Sequence, residues 1–184
     1  MPIFITKADG TRELHNADKV NRSIERACIG LTDPISKVTQ IATETNLTLY
    51  DGIPTDEIDK ATINAAVQNI KEDIEFDRIA TRLLLKTVYR HIIGDYDKDD
   101  PEDLKKKHRD SFISYIENNI ENNKLHPDMK GKFNLEVLAD TLAVDRDELF
   151  QYAGLDGLIN RYLMKSIDEK PIETPQYFFM RIAM

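Results

Sequence analysis

The chain has 184 residues, 41% hydrophobic and 32% charged, with Gly 7, Pro 7 and a net charge of −8. That balance suits one or two soluble, mainly helical domains and excludes a disordered chain or a glycine-rich sandwich. The acidic total argues against direct nucleic-acid binding, which needs a basic face. The only cysteine, Cys28, excludes a disulfide framework and a cysteine-based metal site; it reads as a small helix-core residue. The start, MPIFITKADG, lacks the apolar stretch of a signal peptide, and no apolar run approaches the roughly 18 residues of a membrane span. A cytoplasmic protein with no membrane partner is expected.

In chain order, Ile3 to Lys7 alternates and meets Asp9-Gly10, after which Thr11 to His15 makes a second short extended run. Asp-Gly between two such runs predicts a hairpin, because glycine takes positive φ without steric cost. A ribbon this short is not stable by itself and must pack on something. Asn16 then reads as the N-cap of a first helix with Val20, Ile24, Ala27, Cys28 and Leu31 at helical spacing and Gly30 as its stop. Asp33-Pro34 opens a second helix, which runs through Ile35, Val38, Ile41, Ala42, Thr45 and Leu49 towards Tyr50-Asp51-Gly52. A third begins at Thr55, with Asp56 and Glu57 suited to its first turn, and continues through Ile58, Ala61, Ala65, Ala66 and Ile70. A fourth runs from about Phe76 to Ile93, with Ile79, Ala80, Leu83, Leu84 and Val88 on its apolar face and Gly94 closing it. The expected fold is mainly α: a small N-terminal β-hairpin packed on a four-helix bundle over residues 1–94, followed by a second all-helical segment.

Residues 95–100, Asp95-Tyr96-Asp97-Lys98-Asp99-Asp100, are charged and aperiodic, and mark a linker. Asp100-Pro101 opens a further helix with Leu104, Phe112, Ile116 and Ile120, and shorter segments follow around Leu135 to Leu142, Asp145 to Tyr152 and Leu155 to Met164. Asp145 and Glu148 have capping-box spacing, with Asp where Ser or Thr is usual. Thr174-Pro175 matches a helix start, and Tyr177, Phe178, Phe179, Met180, Ile182 and Met184 make that last helix apolar on most of its circumference. Such a helix is normally buried on more than one side, so the chain reads as the front piece of a longer protein.

A nucleotide site without a glycine-rich loop needs cations from separate elements, together with hydroxyls and amides at helix N-termini. Lys7 on the first strand, Lys19 in the first turn of helix one, Thr55 at the head of helix three and Arg90 near the end of helix four have the right chemistry. The competing reading is that exposed lysines and arginines merely solvate a helical domain.

The stretch ITKADGTRELHNADKVNRSIERA resembles the opening of the ATP-cone, the regulatory nucleotide-binding domain at the front of many ribonucleotide reductase large subunits. YDGIPTDEIDKATINAA and FDRIATRLLLKTVYR are similar to the later cone helices, in order and spacing, so the resemblance covers residues 1–94. A second match lies in KPIETPQYFFMRIAM, which resembles the segment entering the large catalytic subunit. Residues 101–184 are then part of that subunit's N-terminal helical region.

The resemblance implies ATP or dATP, with Mg2+, as allosteric effector. Carried over by position, Lys7 and Arg90 contact phosphate, and Thr55 offers a helix-cap hydroxyl and amide beside them. Lys19, Glu13 and Asn16 lie near base and sugar. Arg12 is expected to face solvent. Two positions depart from the family: Ala8, where a basic residue is common, and Asp59, where a histidine can stand. A carboxylate at 59 repels phosphate unless a metal or lysine intervenes, which bears on the ATP/dATP balance and on dATP inhibition. With one cysteine the chain cannot carry the reductase's radical chemistry, so no catalytic residue and no resident metal site are expected. The implied partners are adenine nucleotides, a homo-oligomer formed through the parent subunit and, in a class I parent, a small radical-generating subunit. The alternative is a stand-alone nucleotide-sensing cone protein that controls oligomerisation or transcription. Cone-bearing repressors carry a cysteine-rich zinc ribbon that this sequence lacks. An anaerobic glycyl-radical reductase is a third possibility; the final segment is more similar to the aerobic or cobalamin-dependent subunits.

Overall fold

The computed structural model describes every residue except Met1, Pro2 and Ala8, so the expectation attached to Ala8 falls outside the described residues. Its contacts divide into two compact units, Met1–Thr87 and Val88–Met184, described separately below. The chain is mainly α, with strands only in the first unit apart from one isolated bridge, Lys165 to Pro171, in the second.

In the first unit β1 (Phe4–Thr6) and β2 (Arg12–Leu14) form the expected antiparallel hairpin. Gly10 sits at φ 83, where only glycine is at ease, and its N–H donates to the Lys7 carbonyl at 2.9 Å. Asp9 locks the turn, its carboxylate accepting from the Thr11 N–H at 2.9 Å and the Thr11 hydroxyl at 2.7 Å. A strand that the sequence did not reveal, β3 (Ile53–Pro54), pairs parallel to β1 on its other side. Two residues show no periodicity to detect. They are placed by the preceding turn: Asp51 accepts from the Phe4 N–H at 2.9 Å and the Gly52 N–H donates to the Phe4 carbonyl at 2.8 Å. Ile5, Ile53 and Ile58 are buried together beneath this small sheet, with Val20 and Leu49 against them. This apolar patch is what the ribbon packs on.

Four helices carry the rest of the unit: α1 (Ala17–Ala27), α2 (Pro34–Leu47), α3 (Thr55–Asn69) and α4 (Glu75–Ile93), the last continuing into the second unit. Asn16 caps α1 as expected, accepting from the Asp18 N–H at 2.9 Å. Asp33 caps α2 from the left-handed region at φ 41, a conformation that Asp tolerates because its short side chain bonds locally. Ile24, Cys28, Ile41, Ala66, Ile79 and Ala80 are fully buried. On α4 the expected face is shifted: Leu85 and Tyr89 are buried, whereas Leu84 is half-buried. Polar groups fix the helix ends. The Lys37 ammonium reaches Asp73 at 2.8 Å, Glu75 at 2.9 Å and the Thr32 carbonyl at 2.7 Å, and Arg82 donates to the Ala27 and Ile29 carbonyls that end α1.

The second unit is built on α5 (Pro101–Glu121), capped by Asp100 as expected, with α6 (Asp128–Lys132), α7 (Leu135–Asp140), a 3-10 helix (Val144–Leu149), α8 (Tyr152–Arg161) and α9 (Pro175–Ala183). Asp145 is not an N-cap, because it lies inside the 3-10 helix whose cap position is held by Ala143. The turn after Ala143 is 3-10, and Asp147 instead is buried, accepting from the Tyr89 hydroxyl and the Gln176 amide, each at 2.6 Å. Phe112, Tyr115, Ile116, Leu135, Ala139 and Tyr177 form the core. Glu173 lies wholly inside, accepting from Arg181 at 2.8 and 2.9 Å, from the Met164 N–H at 2.7 Å and from the Tyr115 hydroxyl. Thr174 caps α9 as expected. Along α9, Tyr177 is fully buried while Phe179 and Ile182 are 48% and 62% exposed.

Candidate functional site

The two-residue period of the hairpin sorts its side chains. Ile5 stands opposite Glu13, so Ile5, Lys7 and Glu13 share one face while Phe4, Thr6, Arg12 and Leu14 share the other. Ile5 is buried on the first face. Further along it, the Lys7 ammonium reaches Glu13 at 2.6 Å. Lys19, in the first turn of α1, reaches the second oxygen of the same carboxylate at 3.3 Å. The Lys7 hydrogen bond and then that of Lys19 hold the Glu13 carboxyl below its ordinary pKa, and Glu13 in turn raises that of Lys7. All three side chains remain partly open to solvent, so these bonds can be exchanged for bonds to a ligand.

The row continues along α1. Ser23 lies one turn beyond Lys19, and its hydroxyl accepts from the Lys86 ammonium at 2.7 Å. Lys86, from α4, also meets Asp59 of α3 at 3.1 Å. Thr55 is one turn before Asp59, at the head of α3. Here the expectation needs correction: Thr55 is the first helical residue rather than the N-cap. Pro54 holds the cap position in extended conformation because it belongs to β3, and α3 has no side-chain cap. Asn16 caps α1 beside Lys19, whose N–H donates to the Asn16 carbonyl at 3.1 Å.

Lys7, Glu13 and Lys19 thus form one bonded group and Ser23, Lys86 and Asp59 a second, set in a row by the single turn of α1 between Lys19 and Ser23, with Asn16 beside Lys19 and Thr55 one turn before Asp59. Arg90 stands in the last turn of α4, within the second unit. Arg12 does not simply face solvent. It pairs with Asp51 at 2.9 Å and covers the Phe4 ring, on the face away from the row. Sequence reading missed Ser23 and Lys86. The signal was there for Lys86: Arg82, Lys86 and Arg90 recur every four residues, one basic side chain per turn of α4. Among the described residues no group of three or more His, Cys, Asp or Glu could hold a metal, and no helix is long and apolar enough to cross a membrane.

Residues 3–92 match the family model of the ATP cone domain, and residues 148–184 match that of the ribonucleotide reductase all-alpha domain. The ribonucleoside-diphosphate reductase subunit alpha of Chlamydia muridarum is 32% identical over 183 residues, which are 98% of this chain and 17% of that protein. The Helicobacter pylori subunit alpha is 32% identical over 185 residues, 99% of this chain and 22% of its own length. The Escherichia coli ribonucleoside-diphosphate reductase 1 subunit alpha is 26% identical over 183 residues, 98% of this chain and 23% of its length. The chain therefore spans about a fifth of the relatives that it matches along nearly all of itself. With a match to the ATP cone domain at residues 3–92 and to the ribonucleotide reductase all-alpha domain at residues 148–184, the chain is similar along nearly its whole length to the front of ribonucleotide reductase large subunits.

Proposed function

We propose that the first unit binds an adenine nucleotide, ATP or dATP, as the allosteric effector of a ribonucleoside-diphosphate reductase large subunit. The observation that carries this reading is the pairing of Lys7 and Lys19 on Glu13, at the exposed end of the hairpin face, in a domain of the ATP-cone family. Lys7 contacts phosphate, with the Thr55 hydroxyl and the first-turn amides of α3 beside it. Lys19, Glu13 and Asn16 recognise base and sugar through paired donors and acceptors. Arg90 is a further phosphate contact on the strength of the resemblance. Mg2+ would arrive with the triphosphate, held by phosphate oxygens and water as this ion usually is.

Effector binding replaces ion pairs internal to the protein with bonds to a ligand. Any difference between ATP and dATP in that exchange shifts the population of subunit arrangements. The parent subunit reduces ribonucleotides in the cytoplasm, assembles with copies of itself and, in a class I enzyme, works with a small radical-generating subunit.

Calorimetric titration of the 184-residue chain with ATP, dATP and GTP tests the reading. Adenine nucleotides bind in preference to GTP. A phosphate contact from a charged group is worth about 1.5–3 kcal/mol, so Lys7→Ala weakens ATP roughly 10-fold or more. Lys60→Ala, which removes an exposed cation of α3 outside the row, leaves affinity unchanged. Absence of adenine-nucleotide binding, or binding indifferent to Lys7→Ala, contradicts it.

A further inference from the structure

Asp59 poses a problem for any polyphosphate bound at the head of α3. It lies on the same helical face as Thr55, one turn on, so its carboxylate would stand near the phosphates. The structure answers with Lys86, which rises from α4 to place its ammonium on both Asp59, at 3.1 Å, and Ser23, at 2.7 Å. The two ionised side chains are 18% and 19% exposed, enough to be reached from solvent yet sheltered from full screening. Ser23 is one turn from Lys19, so the Lys86 ammonium extends the same row that holds Lys7 and Lys19.

We infer that Lys86 is a phosphate-binding residue of this site and that Asp59 is its resident counter-anion, displaced when a polyphosphate enters. The inference rests on the nucleotide-binding reading above and adds to it a residue and an exchange. A lysine ammonium carries three donors on a flexible four-carbon stem. Ser23 retains one donor as an anchor, while a small swing moves the others from a carboxylate to a phosphate oxygen of higher charge. Glu13 plays the matching part for Lys7 and Lys19. These three lysines share two carboxylates of the protein itself, Glu13 and Asp59, so their donors are occupied while the row keeps one net positive charge. Affinity for polyphosphates is then set by competition, and Asp59 lowers it. The exchange also gives binding a mechanical consequence, because the bond released joins α3 to α4.

The test uses the whole 184-residue chain, with ATP and inorganic tripolyphosphate as probes in calorimetry and melting curves as a check of folding. Asp59→Asn, which keeps the shape and removes the charge, tightens both probes roughly 5-fold, and Lys86→Met weakens both roughly 10-fold. Lys86→Arg keeps the cation and holds affinity within about 3-fold; together with Asp59→Asn it decides the matter should Lys86→Met not fold. The inference is overturned if Lys86→Met binds both probes as wild type does, or if Asp59→Asn leaves affinity unchanged or weaker. Loss of binding in Lys7→Ala alongside wild-type behaviour of the Lys86 and Asp59 variants removes the exchange and leaves the nucleotide site standing. A wild-type chain that takes up no ATP removes both.

Discussion

Glu173 is the residue on which the second unit depends most, and its replacement by alanine should show it. The carboxylate is fully buried and accepts four hydrogen bonds: two from Arg181, one from the Met164 N–H and one from the Tyr115 hydroxyl. Glu173→Ala leaves a guanidinium, a phenol and an amide without that acceptor. Removing one partner of a buried ion pair costs about 3–5 kcal/mol, a large part of the 5–15 kcal/mol that typically separates folded from unfolded domains. Glu173→Gln keeps the volume and part of the bonding and costs about 2 kcal/mol, the strength of a hydrogen bond to a charged group. The assay is urea unfolding followed by near-ultraviolet circular dichroism. The chain has no tryptophan, and six of its seven tyrosines lie in Val88–Met184, so the signal reports on this unit; Tyr115 and Tyr177 are stacked with ring centres 5.0 Å apart. A loss below about 1 kcal/mol in Glu173→Ala, or equal losses in the two variants, would refute the claim that the charge holds this core together.

Two buried groups of the same unit make opposite predictions with pH. Burial raises the Asp147 carboxyl from 3.8 to about 6, so its contribution to stability is greatest below 3.8 and is lost as pH rises through 6. Burial lowers His108 from 6.5 to about 4, so its contribution is complete above 6.5 and is lost as pH falls through 4. Each shift is worth about 3 kcal/mol, and over the shared window the two nearly cancel. Asp147→Asn should therefore lose stability on acidification faster than wild type, and His108→Gln more slowly, as read from melting curves between about pH 7 and pH 4.5; parallel curves for all three proteins contradict this. Cys28 is fully buried and its thiol is pushed up to about 11 by that burial, so an aromatic disulfide reagent should label it only as fast as the first unit opens. Immediate labelling of the native chain contradicts its place in the core.

Much of the fold was legible because its signals are local. Asp9-Gly10, Asn16, Asp33-Pro34, Asp100-Pro101 and Thr174-Pro175 each specify a turn or cap through their own backbone preferences, and the helices stand where these residues start them. What was not legible depends on distant partners. β3 exists because Asp51 and Gly52 meet Phe4, some 47 residues away in sequence. The segment KPIETPQYFFMRIAM reads as an apolar helix with a cap, yet its polar letters form the centre of a core: Glu173 with Arg181 and Tyr115, Gln176 with Asp147, and the Tyr177 hydroxyl donating to the His108 carbonyl. No pattern in one stretch announces such pairings. The same holds for the site. Lys7, Glu13 and Lys19 could be placed by the hairpin alternation and the helix that follows, whereas the bond from Lys86 to Asp59 needs α3 and α4 side by side.

Hydrogen–deuterium exchange of the 184-residue chain, with and without saturating ATP, tests the central claim most directly because it reports binding and its place at once. The account predicts slower exchange on β1 and Lys7 just beyond it, on β2 with Glu13, on Asn16 and the first turn of α1 with Lys19, and on the first turn of α3 with Thr55. Protection confined to other segments, or none at any ATP concentration, would contradict it.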